Sequence, residues 1–106
     1  MPFPSASQRA KHYVKHGHEF GAANEFVYEQ MADAFMSLPA NLHLNLVECS
    51  RTTGTFDRIR LDGTTGYYGV AYNVLTIRTF HLKDIAVIAR TGGALAYVLR
   101  KCAEVR

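Results

Sequence analysis

The densest group of side chains suited to proton transfer lies in the segment 12–16. His12 and His16 are four residues apart, so on a helix they share one face, and Lys15 lies beside that face. Two imidazoles and an ammonium suit chemistry at a phosphate, because one histidine can take a proton from a hydroxyl, the other can protonate a leaving oxygen, and the lysine balances charge. The alternative interpretation is a solvated helix end, where the helix dipole favours histidine.

A second group of candidate residues lies on a predicted strand near residue 80. Alternation along a strand places Arg78 and Phe80 on one face and Thr79 and His81 on the other. Arginine suits bidentate phosphate contact, and threonine can donate to a phosphate oxygen. The ring of Phe80 offers a stacking plane for a base. The alternative is an ordinary strand with a polar outer face.

Two arginines of an earlier predicted strand extend this basic character. Arg58 and Arg60 are two residues apart and share one strand face. If their strand lies next to that of Arg78, the three guanidinium groups form a basic sheet surface that suits RNA phosphates. The candidate RNA-binding residues are therefore Arg58, Arg60 and Phe80.

A metal site is a competing interpretation of the histidines. The i, i+4 spacing of His12 and His16 matches the zinc-binding pair of HExxH. The glutamate of that motif is missing, however, and a third ligand such as His43 or His81 is far away in the sequence. We therefore expect neither a metal nor another cofactor.

The elements that must position these residues follow from a change in hydrophobic period from 3.6 residues to 2. A first helix is predicted after Pro4, with Ser5 or Ser7 as its cap, and a second is predicted between Asn24 and the Leu38-Pro39 stop. Four strands follow, built around Leu42, Leu44 and Leu46, then in segments 55–62, 67–72 and 75–82. A short helix over 94–104 closes the chain, whereas 85–92 is compatible with a fifth strand or with that helix.

Segregated helices and strands predict an α+β fold, with two N-terminal helices packed on a twisted antiparallel sheet of about four strands and a closing C-terminal helix. The 106 residues, 48% of them apolar, suit a single domain spanning residues 1–106. Cys49 and Cys102 form no CxxC pair and no disulfide framework, so we interpret them as small buried apolar residues.

The charge distribution favours a polyanionic partner. The formal net charge is +3, and an acidic segment over 21–50, without lysine or arginine, lies between two basic segments. No apolar run reaches the roughly 20 residues of a membrane span, and the N-terminus has no signal-peptide pattern. We expect a cytoplasmic site of action and no membrane partner.

Several motifs resemble one toxin family. Residues 15–21, KHGHEFG, resemble the KHxx(D/E)FG signature near the start of colicin D-type tRNase domains, which also occurs in contact-dependent inhibition and other polymorphic toxins. Residues 57–60, 68–70 and 76–80 follow in the order in which that family has similar runs. Residues 96–102 resemble the family's closing helix, so the resemblance covers nearly the whole chain.

The resemblance implies the fold of Barnase, EndoU, colicin and RelE ribonucleases. It also implies metal-independent RNA cleavage, in which a ribose 2′-OH attacks the adjacent phosphate and leaves a 2′,3′-cyclic phosphate and a 5′-OH. His16 aligns with the catalytic histidine of that family and would be the general base or acid. His12 and His81 match no position of the family, but either could supply the second proton-transfer group. The positions that it relates to phosphate contact are Lys15, Arg78 and Thr79.

The function predicted on these grounds is that of an endoribonuclease toxin acting on tRNA or other cytosolic RNA. A cognate immunity or antitoxin protein, expected to be acidic, would cover the basic site. No small-molecule cofactor is expected. The alternative is a non-catalytic RNA-binding or protein-interaction module on the same scaffold.

Overall fold

The computed structural model of the protein describes residues 1–39, 45–51, 57–73 and 75–103. Its helices and strands confirm the α+β prediction, with helices flanking one antiparallel sheet of strand order β1-β2-β3-β4. In chain order the elements are α1 (Ala6–His16), a 3₁₀ turn (Gly17–Phe20), α2 (Glu25–Ser37), β1 (Leu46–Arg51), β2 (Asp57–Asp62), β3 (Tyr67–Tyr72), β4 (Thr76–Leu82), α3 (Ile85–Arg90) and α4 (Ala94–Ala103).

The N-terminal helices begin and end where the local signals predict. The Ser5 hydroxyl accepts a hydrogen bond from the backbone of Gln8, and the Asn24 side chain accepts from two backbone N–H groups at the start of α2. Leu38 is extended ahead of Pro39 and ends α2. Gly21, at φ 63°, ends the 3₁₀ turn that follows α1.

Other predictions about the elements meet a different outcome. Segment 85–92 is neither a fifth strand nor part of the last helix, because the Asp84 side chain caps a separate short helix, α3. The predicted strand residues Leu42, Leu44 and Phe56 and the candidate ligand His43 lie outside the described residues. In the described part of the chain, every helix is too short or too polar to cross a membrane.

The sheet has a hydrophobic core on each face. One core joins α2 and the N-terminal segment to the sheet, and its buried residues include Phe3, Tyr28 and Phe80. The other joins α4 to the opposite face and includes Ile59 and Val98. On the α2 face, a Cβ atom on Gly69 would meet Met36 Sδ at 2.4 Å, so glycine lets α2 approach the sheet closely.

A β-bulge in β4 reverses the predicted orientation of Phe80. Val70 pairs with Thr79 whereas Ala71 pairs with Ile77, so Arg78 is an extra residue without a partner position on β3. Ile77 and Phe80 consequently point to the same face, and both are fully buried there. The prediction that Phe80 shares a face with Arg78 is wrong, because strict alternation fails at a bulge.

The two cysteines form a disulfide, which corrects their interpretation as separate buried thiols. Cys49 lies on β1 and Cys102 on α4, and their Cα atoms are 6.5 Å apart. They meet only because α4 packs across the sheet, a tertiary relationship that their spacing in the sequence does not reveal. The bond ties the C-terminal helix to the first strand.

Candidate active site

The end of α1 and the end of β4 bring two predicted site residues together. The imidazoles of His16 and His81 are stacked, with ring centroids 4.8 Å apart and an interplanar angle of 21°. Helix α1 lies along the outer edge of β4, and the residues before and after it bond to that edge. The Ile77 N–H donates to Pro2 O, and the Leu82 N–H donates to the Glu19 carboxylate. These edge bonds set the position of His16 along the strand.

Glu19 is a site residue that the sequence reasoning missed. Its Oε2 lies 2.6 Å from His16 Nδ1 and its Oε1 accepts from the Leu82 N–H at 2.8 Å. Burial alone would raise the pKa of this carboxyl, but the hydrogen bonds from His16 and Leu82 and the charge of the imidazoles bring the pKa below its usual value. The carboxylate therefore orients the His16 ring and leaves its Nε2 for a substrate. Its i, i+3 spacing from His16 was the available signal.

His81 lies in surroundings that keep it neutral. Burial, followed by the charge of Lys83, lowers the pKa of His81 to about 4, against a smaller raising effect of its contact with Leu82 O. Its Nδ1 is 3.3 Å from that carbonyl oxygen, which can only accept, so Nδ1 carries the proton. Nε2 of His81 is then an unprotonated acceptor at neutral pH.

The ring of His12 packs next to that of His16. Its ring lies between those of Phe3, 5.1 Å away, and His16, 6.3 Å away. Its Nδ1 is buried and has no hydrogen-bond partner among the described residues. Burial, then the positive charges around it, lowers the pKa of His12. Of the two candidates for the second proton-transfer group, His81 is the one that contacts His16 face to face at the shorter distance.

Of the remaining predicted phosphate contacts, two lie beside this site and the third is held in an ion pair. Lys15 is exposed and precedes His16, and Thr79 is half-buried on the same sheet face as His81. Arg78 instead pairs through Nε with Asp57 Oδ1 at 2.6 Å, and its guanidinium lies over the Tyr72 ring. Its contacts are at the other end of β4, because the bulge turns its side chain toward β2.

The predicted RNA-binding surface of Arg58, Arg60 and Phe80 is not formed. Arg60 is 2% exposed, pairs with Glu48 at 2.8 Å and donates to the backbone carbonyls of Phe35 and Leu38 at the end of α2. Arg58 donates to Met36 O in the same region. Arg58 and Arg60 lie on the α2 face of the sheet, whereas Arg78 pairs with Asp57, whose side chain alternates with that of Arg58 along β2 and lies on the opposite face, so the three arginines do not form one surface. Phe80 is fully buried and cannot stack on a base.

Three groups of the site could also approach a metal ion. One ligand atom each from His16, Glu19 and His81 lies within 4.8 Å of the others, a set that replaces the His12–His16 pair suggested by spacing. Both oxygens of Glu19 already accept hydrogen bonds. The present arrangement suits proton transfer better than metal ligation.

The site is partly buried, because the side chains of His16 and Glu19 are 14% and 22% exposed and His81 is half-buried. An apolar groove of about 350 Å³ lies elsewhere, on the α2 side, and its lining includes Met31, Phe35, Leu38 and Tyr67. None of the residues lining that groove belongs to the histidine cluster.

No protein-family model matches this chain, and no curated protein is significantly similar to it.

Proposed function

We propose that this protein is a metal-independent endoribonuclease that cleaves RNA by attack of a ribose 2′-OH on the adjacent phosphate. The observation that supports the proposal is the stacking of His16 on His81 at 4.8 Å, with Glu19 bonded to one ring only. Two titratable groups with contrasting surroundings can act as acid and base at one pH.

The contrast between the two imidazoles suggests their roles. His81, neutral at pH 7, accepts the 2′-OH proton on Nε2 while the bond between O2′ and phosphorus forms. His16, whose protonated form is paired with Glu19, gives a proton to the 5′ oxygen as the bond between phosphorus and that oxygen breaks. Burial and the charges of Lys83 and His16 disfavour protonation of His81, and an anionic phosphate bound at the site would offset the part due to those charges.

Two neighbours suit stabilisation of the phosphorane-like transition state. The exposed ammonium of Lys15 can approach the non-bridging oxygens, and the Thr79 hydroxyl can donate to them from the face of His81. No group in this scheme requires a metal ion, since both proton transfers use side chains of the chain itself.

The biological setting that we propose rests on the family resemblance. The substrate would be tRNA or other RNA of the cytoplasm, and a cognate immunity or antitoxin protein would cover the site. The Cys49–Cys102 disulfide fits a toxin that passes through an oxidising compartment before it reaches its target.

The test is to incubate the purified chain with total RNA in EDTA and to identify the ends of the fragments. We expect cleavage, with 2′,3′-cyclic phosphate and 5′-OH ends, and no cleavage of an RNA whose 2′ oxygens are methylated. Intact RNA at high protein concentration, loss of cleavage in EDTA, or 5′-phosphate ends would each contradict the proposal. Binding without cleavage would favour the alternative RNA-binding module.

A further inference from the structure

Two lysines that transfer no proton in the proposed reaction lie around a pair of tyrosines beside the site. Lys83 Nζ is 4.7 Å from the centroid of the Tyr68 ring and 5.9 Å from that of Tyr97. Lys101 Nζ, from α4, is 5.5 Å from the Tyr97 centroid. We call these four residues the lysine–tyrosine cluster.

The tyrosines of this cluster hold the lysines in place and are not themselves binding surfaces. Tyr68 is 6% exposed and Tyr97 is 8% exposed, and their rings meet edge to face with centroids 6.4 Å apart. An ammonium over an aromatic face is attracted by the ring quadrupole, which orders an otherwise flexible side chain. Both lysines remain partly exposed to solvent.

The cluster is continuous with the candidate active site. The Tyr68 ring contacts Lys83 on one side and His81 on another, with the His81 centroid 5.1 Å away. Lys83 follows His81 by two residues on the same chain segment, so its ammonium approaches any phosphate bound at the stacked histidines. Its neighbour Asp84 is turned toward α3, where it accepts from the Ala86 N–H.

The three arginines first predicted to bind RNA are held elsewhere in the fold. Arg60 is buried, Arg58 donates to the end of α2, and Arg78 is paired with Asp57. Lys83, two residues from His81, and Lys101, on α4, carry positive charge on the α4 side of the sheet.

We propose that Lys83 and Lys101 form a phosphate-binding subsite for single-stranded RNA, so that the strand runs from the stacked histidines toward α4. The inference rests on the proposed function, since it places the RNA backbone next to the cleaved bond. The ligand groups are the backbone phosphodiesters, which the lysines bind without reading the bases. The disulfide at Cys102 fixes the end of α4 that carries Lys101.

The test measures binding of 2′-O-methyl RNA, which cannot be cleaved, as a function of salt concentration. The proteins are the full chain and the variants Lys83→Gln, Lys101→Gln and, as a matched control, Arg90→Gln at an exposed position on α3. We expect each lysine variant to bind several-fold more weakly and to lower the slope of log K against log salt by about 0.7. The Arg90 variant should keep the slope of the unmodified chain.

The outcomes separate the subsite from the proposed cleavage. A salt slope that is unchanged in both lysine variants, or lowered equally by Arg90→Gln, would overturn the subsite even if RNA is cleaved. Binding that depends on Lys83 and Lys101, without cleavage of ordinary RNA, would support the subsite and contradict the nuclease. Unchanged thermal unfolding of the variants shows that the loss is not a folding defect.

Discussion

His81, at the end of β4, lies face to face with His16, at the end of α1, and their ring centroids are 4.8 Å apart. Glu19 follows His16 by three residues and binds both the His16 ring and the Leu82 N–H of β4. One carboxylate therefore couples the orientation of an imidazole to the position of the helix on the sheet edge. The geometry of the candidate site therefore depends on this junction between the end of α1 and the end of β4.

Glu19→Gln tests this positioning role. The amide oxygen can still accept one of the two hydrogen bonds, but the negative charge that pairs with protonated His16 is lost. We expect kcat/KM for RNA cleavage to fall about tenfold with little change in KM. In Glu19→Ala the fall in kcat/KM should be larger. Glu25→Gln, at an ion pair with Arg9 away from the site, is the control. Wild-type kcat in Glu19→Gln would show that the carboxylate has only a structural role.

Acidification should destabilise the fold through His81. The unfolded chain binds a proton on this residue near the ordinary pKa of 6.5, whereas the folded protein does so only at about 4. Because the unfolded state binds more protons between these values, the free energy of unfolding falls as pH decreases from 6.5 to 4, by at most about 3 kcal/mol. Urea unfolding midpoints should show the fall in the wild type and a weaker one in His81→Gln. His18→Gln, at an exposed position, should follow the wild type, and parallel curves for all three proteins would contradict the assignment.

Arg60→Met should weaken the fold and leave RNA binding by the folded protein unchanged. The substitution removes the bonds of a buried guanidinium to Glu48 and to two carbonyls of α2, which costs about 3 kcal/mol of unfolding free energy. Arg90→Met, on the surface, should change stability by less than about 0.5 kcal/mol. Equal stability of Arg60→Met and the wild type, combined with lost RNA affinity, would instead restore Arg60 as an RNA contact.

Reduction of the Cys49–Cys102 disulfide should destabilise the folded chain. The cysteines are 53 residues apart, and the entropy of closing such a loop corresponds to about 4 kcal/mol. Urea unfolding midpoints with and without reductant measure the difference. The double variant Cys49→Ser/Cys102→Ser should have the midpoint of the reduced protein, and reductant should not change it. Free thiols in the oxidised protein, or equal midpoints in both conditions, would contradict this prediction.

Local signals in the sequence predict most of the fold. The caps at Ser5 and Asn24 and the change of hydrophobic period depend on neighbours within a few residues, and the structure confirms them. The predicted orientation of Phe80 is wrong because a single extra residue at Arg78 shifts the strand register. The prediction that Arg60 lies on an RNA-binding surface fails because its burial depends on how α2 packs over β2, and the residue type alone does not reveal that packing.

The candidate site shows the same division. The pairing of His16 with Glu19 is encoded locally by i, i+3 spacing and was available from the sequence. The stacking of His16 on His81 arises only when α1 packs along β4, so the sequence left His12 and His81 as equal alternatives. The cysteine pair and the lysine–tyrosine cluster also join residues that are distant in the chain and become visible only in the fold.

The rate of RNA cleavage in EDTA by His16→Ala and His81→Ala, measured beside His18→Ala, tests the central claim most directly. Loss of either the acid or the base should lower the rate by about a hundredfold or more, because each proton transfer contributes on that scale. His18 is exposed, so its variant should cleave like the wild type. Wild-type rates in His16→Ala or His81→Ala, with folding intact, would contradict an active site built on the stacked histidines.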